Sequence, residues 1–127
     1  MTVLDTNFLI DLLKDKPGTS EIADSIEHPK TTTINAFELY YGANSSARPE
    51  ENISKINYLL KSIVVLEFDK NAALKAGNIQ AKLMKLGKPI DPYDVLIAGI
   101  VMANNEEIMT RDINHFNRIP GLRFRSW

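Results

Sequence analysis

Short aliphatic or β-branched runs punctuate the chain at residues 1–4, 31–34, 63–66 and 108–110, and a weaker one follows at 122–124. The intervals carry helical periodicity. Ile53, Ile56, Leu60 and Ile63 recur at spacings of three and four, as do Ala76, Ile79, Leu83 and Leu86, each marking one apolar stripe. Gly87 closes the second stripe. Asp91-Pro92 supplies an N-cap and a first-turn proline for a further helix through residues 95–103, which is apolar nearly all round and so should be buried. Strands cannot be joined into a parallel sheet by tight turns. They need crossovers of a dozen residues or more, and these helices provide them. The pattern predicts an α/β chain, a three-layer α/β/α sandwich around a mainly parallel sheet of four to five strands.

At 127 residues, with 44% hydrophobic and 24% charged positions, one core and one domain spanning 1–127 are expected. No internal repeat interrupts it, and residues 44–51 (NSSARPEE) read as a loop. The run at 95–103 is far shorter than the roughly 20 residues that span a bilayer. Residues 1–5 show no basic-then-apolar leader, so a cytoplasmic protein is expected. The absence of cysteine excludes a disulfide framework and thiolate metal sites. Fifteen basic against sixteen acidic residues leave a net charge of -1, so a nucleic-acid partner would need a local basic patch, for which Arg111, Arg118, Arg123 and Arg125 are candidates.

Four acids share one position, the junction where a strand gives way to a helix: Asp5, Glu38, Asp94 and Asp112. In open parallel sheets, ligands bind in the crevice at the carboxyl ends of the strands. Each acid also has a purely structural account, because carboxylates near helix N-termini satisfy orphan amides. Asn35 with Glu38, and Asp91 with Asp94, have capping-box character, and Asp5 or Asp112 could be simple N-caps. Capping does not require every one of these strand ends to carry an acid. Like charges gathered within a few ångströms raise one another's pKa or demand a cation. Carboxylates without cysteine or histidine form a hard oxygen site suited to Mg²⁺ or Mn²⁺, and such an ion can orient a water on phosphorus. Phosphodiester hydrolysis is the chemistry expected.

The blocks LDTNFLIDLL, INAFELYYG around Glu38, PYDVLIAGI around Asp94 and IMTRDINHF around Asp112 resemble, in order and over almost the whole chain, the four signature blocks of PIN-domain nucleases. More narrowly, they resemble the VapC toxins of VapBC toxin–antitoxin modules. The resemblance implies a Mg²⁺- or Mn²⁺-dependent endoribonuclease with Asp5, Glu38, Asp94 and Asp112 as its acids, and Asp5, Asp94 and Asp112 on the metal. It places Asn7 and Thr110 beside the site as supporting polar residues. It further implies a VapB-type antitoxin partner and a homodimer. A housekeeping RNA-processing nuclease, or a dormant PIN fold used as an RNA-binding or scaffold module, is the alternative. Haloacid-dehalogenase phosphatases share an acid after the first strand, but Asn7 stands where their second acid is needed. Receiver domains need a paired acid near the first strand and a lysine after the last, and this chain has neither.

The remaining candidates read as structural. His28 is expected in a surface loop, and His115, three positions after Asp112, is set aside as a general base. Tyr40, Tyr41 and Tyr93 are assigned to packing or dimer contacts ahead of base stacking. Phe116 and Trp127 read as core or tail docking, and Lys82, Lys85 and Lys88 as a solvated helix face. Gly42 is expected at the end of the Glu38 helix, and Asp91 is read as an N-cap.

Overall fold

A computed structural model describes residues 2–127. The elements run β1 (Thr2–Leu4), α1 (Thr6–Leu13), α2 (Thr19–Asp24), β2 (Lys30–Thr32), α3 (Thr33–Asn44), α4 (Pro49–Lys61), β3 (Val64–Leu66), α5 (Lys70–Lys85), α6 (Pro92–Ala103), β4 (Glu107–Met109), α7 (Ile113–Phe116) and β5 (Arg123–Arg125). The strands form one five-stranded sheet, ordered β3-β2-β1-β4-β5, in which every pair is parallel. Met1, placed in the first strand by the sequence pattern, lies outside the described residues.

Alternation along the two central strands sorts the core into layers. Val3 and Ile108 face α5, α6 and α7, where they join Ala76, Ile79, Leu83, Ile97, Val101 and Phe116. Leu4 and Met109, one residue on, face the other way and pack with Phe8, Leu9, Leu39, Ala43 and Ile56 of α1, α3 and α4. The result is the expected three-layer sandwich. The α6 run is buried as its composition requires, with Val95, Ile97, Ala98, Ile100 and Val101 all in the core. Its Gly99 permits a close approach to α5: a Cβ there would lie 2.7 Å from the Ala72 carbonyl oxygen and 2.8 Å from the Ala76 Cβ.

Several boundaries differ from the sequence reading, for local reasons. The second strand spans Lys30–Thr32, not 31–34, because the Thr32 hydroxyl accepts from Asn35 N–H and starts α3 at Thr33. The loop read at 44–51 is confined to residues 45–48: α3 continues to Asn44, and α4 begins at Pro49, followed by Glu50 and Glu51 in its first turn. Gly42 therefore sits inside α3 and ends nothing, whereas Gly87, at φ 66°, does follow α5 in the left-handed region. Leu86 caps α5 and is exposed, so the core stripe of that helix stops at Leu83; Ile63 likewise falls beyond α4. The third, fourth and fifth strands are 64–66, 107–109 and 123–125, each shifted by about one residue.

The chain order fixes where a site can form. From β1 the chain moves outward through β2 to β3, then crosses to β4 on the opposite side of β1. The switch point between β1 and β4 leaves a crevice at their carboxyl ends, and Asp5 and Thr110 are the first residues past those two strands.

Candidate active site

Asp5 enters the crevice fixed at its backbone, since its N–H donates to the Met109 carbonyl at 3.1 Å. Its side chain is buried and accepts three hydrogen bonds. Oδ1 takes the N–H of Thr6 (2.9 Å) and the Asn35 amide (2.9 Å), and Oδ2 takes the Thr110 hydroxyl (2.6 Å). Asp5 is thus the N-cap of α1, and it also anchors a network that no cap needs. Asn35, fully buried in α3, donates from Nδ2 to both Asp5 and the Thr6 hydroxyl oxygen (2.9 Å), while its Oδ1 accepts from Thr32 (2.7 Å). Thr6 in turn donates to Glu38 Oε1 at 2.8 Å. A side-chain network thereby reinforces the backbone pairing at the ends of β1, β2 and β4.

The other acids do not behave as caps. Asp91 does cap α6, accepting from Tyr93 N–H at 2.8 Å, but Asp94 turns from that cap to meet His115, with Oδ2 and Nδ1 2.6 Å apart. The α3 cap is Thr32, so Glu38 is free to bond Thr6. Asp112 precedes α7 without a side-chain capping bond, and its N–H donates to Thr110 Oγ1 at 2.9 Å. Asn7 is exposed and enters none of these contacts; the adjacent Thr6 occupies the network instead.

Burial and mutual repulsion govern the charges. Desolvation pushes the Asp5 carboxyl above its ordinary range, against the opposing hydrogen bonds from Thr110 and Thr6, and the Asp112 charge adds to the rise. Glu38 is raised by burial first, its Thr6 bond opposing, with Asp5, Asp94 and Asp91 adding repulsion. Asp94 is pushed up to about 6, again chiefly by burial, with the His115 hydrogen bond opposing and Asp5 and Asp112 contributing. Such a cluster is relieved by a cation. Among the described residues, donor atoms of Asp94, Asp112 and His115 all lie within 4.8 Å of one another, a spacing one ion could bridge with small side-chain shifts. The donor set therefore fits a divalent metal. His115 stands within this donor group, a nitrogen that the oxygen-only reading of the sequence did not include, and Asp5 stands outside it.

Sequence reasoning passed over Thr6 and Thr32, read Asn35 only as part of a capping box, and set His115 aside. The signal for His115 was its spacing from Asp112. For Asn35 it was an amide within an otherwise apolar segment, which reads equally well as a cap. The aromatic expectations divide. Phe116 is fully buried, and Trp127 docks edge-on against Phe8 with Arg111 over its ring at 4.4 Å. Tyr41 and Tyr93 are exposed and, with Phe37, form an aromatic cluster next to Glu38 and Asp94. His28 is exposed, as are Lys82, Lys85 and Lys88. A groove of about 580 Å³ between α1, α3 and α4 opens at Glu38 and is lined by Ile10, Leu13, Leu39, Ala43 and Ile56.

The PIN domain family matches residues 2–122. The tRNA(fMet)-specific endonuclease VapC of Salmonella typhimurium is 34% identical to the chain, with 98% of this chain and 96% of the relative covered. The ribonuclease VapC2 of Haemophilus influenzae is 32% identical over the same shares. In three dimensions the chain is similar to DNA-bound VapBC from Salmonella typhimurium, with TM-score 0.92 and 34% identity over 99% of this chain and 97% of that one. VapBC2 from Rickettsia felis, bound to a fragment of promoter DNA, gives TM-score 0.89 and 27% identity over 99% and 98%.

Proposed function

Because the chain belongs to the PIN-domain family, we propose that it is a metal-dependent endoribonuclease serving as the toxin half of a toxin–antitoxin pair. The observation that carries this reading is the gathering of Asp5, Glu38, Asp94 and Asp112 at the switch-point crevice, three of them with carboxyls raised by burial and neighbouring charge. A fold selected for stability alone would not concentrate acids there. Asp5, Asp94 and Asp112 would hold the ion, with Glu38 completing the acidic cluster. Bound there, Mg²⁺ or Mn²⁺ supplies a water nucleophile and charge neutralisation at phosphorus. The chain's own contribution is positional. Thr110, Asn35 and the Thr6 N–H hold both oxygens of Asp5 against repulsion from its neighbours, and the Thr6 hydroxyl does the same for Glu38. The products would carry a 5′-phosphate and a 3′-hydroxyl.

The names of the relatives suggest the substrate and partner. Two VapC relatives, at 34% and 35% identity, are named for tRNA(fMet), which makes a structured tRNA the first substrate to assay. Relatives solved as VapBC complexes suggest a VapB-type antitoxin, and the groove at Glu38, lined by Ser46, Asn52 and two lysines as well as its aliphatic residues, is a seat from which a bound segment would reach the acids. Among the described residues no helix is long and apolar enough to cross a membrane. The test is incubation of purified, antitoxin-free protein with tRNA(fMet) and with bulk tRNA in Mg²⁺. Cleavage abolished by EDTA and by Asp94→Asn supports the reading. Folded protein that binds Mg²⁺ and leaves every RNA intact would point instead to a dormant scaffold.

A further inference from the structure

We infer that His115 is itself a ligand of the divalent ion, alongside Asp94 and Asp112, and that its nitrogen shifts the preference of the site from Mg²⁺ toward Mn²⁺. The inference rests on the metal-dependent reading above and adds to it a residue that the four-acid description leaves out.

The placement is a matter of chain geometry. Asp112 and His115 are three residues apart at the start of α7, so both side chains emerge on one side of that turn. The neighbouring Phe116 is fully buried in the core beneath the sheet, which pins the turn and limits where the imidazole can go. Asp94, from the first turn of α6, meets it at 2.6 Å. Metal–oxygen and metal–imidazole bonds are each about 2.0–2.3 Å, so two donors on one ion stand at most about 4.5 Å apart. The three donor atoms all lie within 4.8 Å of one another, so small side-chain shifts would bring them onto one ion. Without the ion, a neutral imidazole can donate from Nδ1 to Asp94. Moving its one proton to Nε2 exposes the Nδ1 lone pair with no net proton gained or lost.

The chemical consequence follows from donor softness. Mg²⁺ selects carboxylate and water oxygens and gains little from an imidazole, whereas transition ions gain from nitrogen donors. A site that adds one imidazole to its carboxylates should therefore discriminate between ions that an all-oxygen site would treat more alike.

Calorimetric titration of metal-stripped protein with Mn²⁺ and with Mg²⁺ tests this, comparing wild type with His115→Gln and His115→Ala, and with His28→Gln as the control at the other histidine. We expect wild type and His28→Gln to bind Mn²⁺ more tightly than Mg²⁺. Both His115 variants should lose about tenfold or more in Mn²⁺ affinity with a smaller loss for Mg²⁺, so that the preference collapses. Pulsed electron paramagnetic resonance on Mn²⁺-loaded wild type needs no variant and should detect directly coordinated nitrogen. Equal losses for both ions would make His115 a positioning residue acting through Asp94, and no loss, or no nitrogen coupling, would remove it from the site; either overturns the inference while leaving the nuclease reading standing. Wild-type protein that binds neither ion would overturn both.

Discussion

Replacing Asp94 by asparagine should make the metal-free protein more stable at neutral pH, although it removes a hydrogen-bonded, nearly buried charge. The carboxyl is raised from 3.8 to about 6, mainly because burial strips its solvent, and its side chain is only 10% exposed, so little solvent screening applies. At about 1.4 kcal/mol per pH unit, holding Asp94 ionised at pH 7 costs the folded state about 3 kcal/mol. Asparagine keeps the volume and can still accept from His115, but placing its amide N–H groups where a carboxylate oxygen sat costs about 1 kcal/mol. The net gain is about 2 kcal/mol, or roughly 1 M in the urea midpoint. The sign with pH follows from the raised carboxyl. Between pH 3.8 and about 6 the folded protein binds more protons than the unfolded chain, so this group's penalty grows as pH rises through that window. The advantage of Asp94→Asn in EDTA should therefore shrink by about 1 kcal/mol on going from pH 7 to pH 5. Saturating Mg²⁺ should reverse the order, since wild type gains about 2.7 kcal/mol at a hundred times its dissociation constant and the variant does not. Urea unfolding followed by circular dichroism measures all three. A variant no more stable than wild type at pH 7 in EDTA, or an advantage unchanged at pH 5, would refute the reasoning.

Gly99→Ala should destabilise by about 1–3 kcal/mol by wedging α5 from α6, lowering the thermal midpoint by roughly 5 °C. Gly77→Ala, in open space on α5, should instead gain about 0.5–1 kcal/mol, and calorimetry on the pair checks the contrast in sign. Asn35→Ala removes three side-chain hydrogen bonds, two of them buried and one to a carboxylate, and should cost about 3 kcal/mol in urea unfolding while further raising the Asp5 carboxyl. Trp127 is the only tryptophan, so its emission should shift to the red when the chain unfolds; Trp127→Ala should cost about 2 kcal/mol through lost contact with Phe8 and Arg111.

The layered parallel architecture was legible because strand and helix periodicities differ, and because residues 95–103 are too apolar for any place but a core. The acids were legible as a set by their residue type and spacing, although only Asp5 and Asp112 stand between a strand and the next helix; Glu38 sits in the second turn of α3 and Asp94 opens α6, which follows α5 and not a strand. What the pattern could not resolve was competition at single positions. At Thr32 and Thr33 a β-branched pair reads as strand, yet the Thr32 hydroxyl serves the Asn35 amide and the helix wins. At Asp94 and Glu38 the spacing reads as a capping box, yet Thr32 and Asp91 take those duties and free both acids for the crevice. Thr6 and Asn35 were invisible as a unit because they are joined only across the sheet, 29 positions apart. His115 was set aside because a neighbouring metal was expected to make a histidine base unnecessary. That argument concerns proton transfer and says nothing about ligation, which is a matter of distance.

The central claim is that the crevice acids hold a metal for RNA hydrolysis and that capping, which Asp5 also performs for α1, does not account for the set. The most direct measurement is cleavage of end-labelled RNA by wild type and Asp5→Asn in Mg²⁺, Mn²⁺ and EDTA, with the termini of any products identified and the fold of each protein checked by circular dichroism. Folded Asp5→Asn without activity, beside a wild type that needs the ion and leaves 5′-phosphates, is the predicted result. Cleavage by Asp5→Asn at the wild-type rate, or by wild type in EDTA, would contradict it.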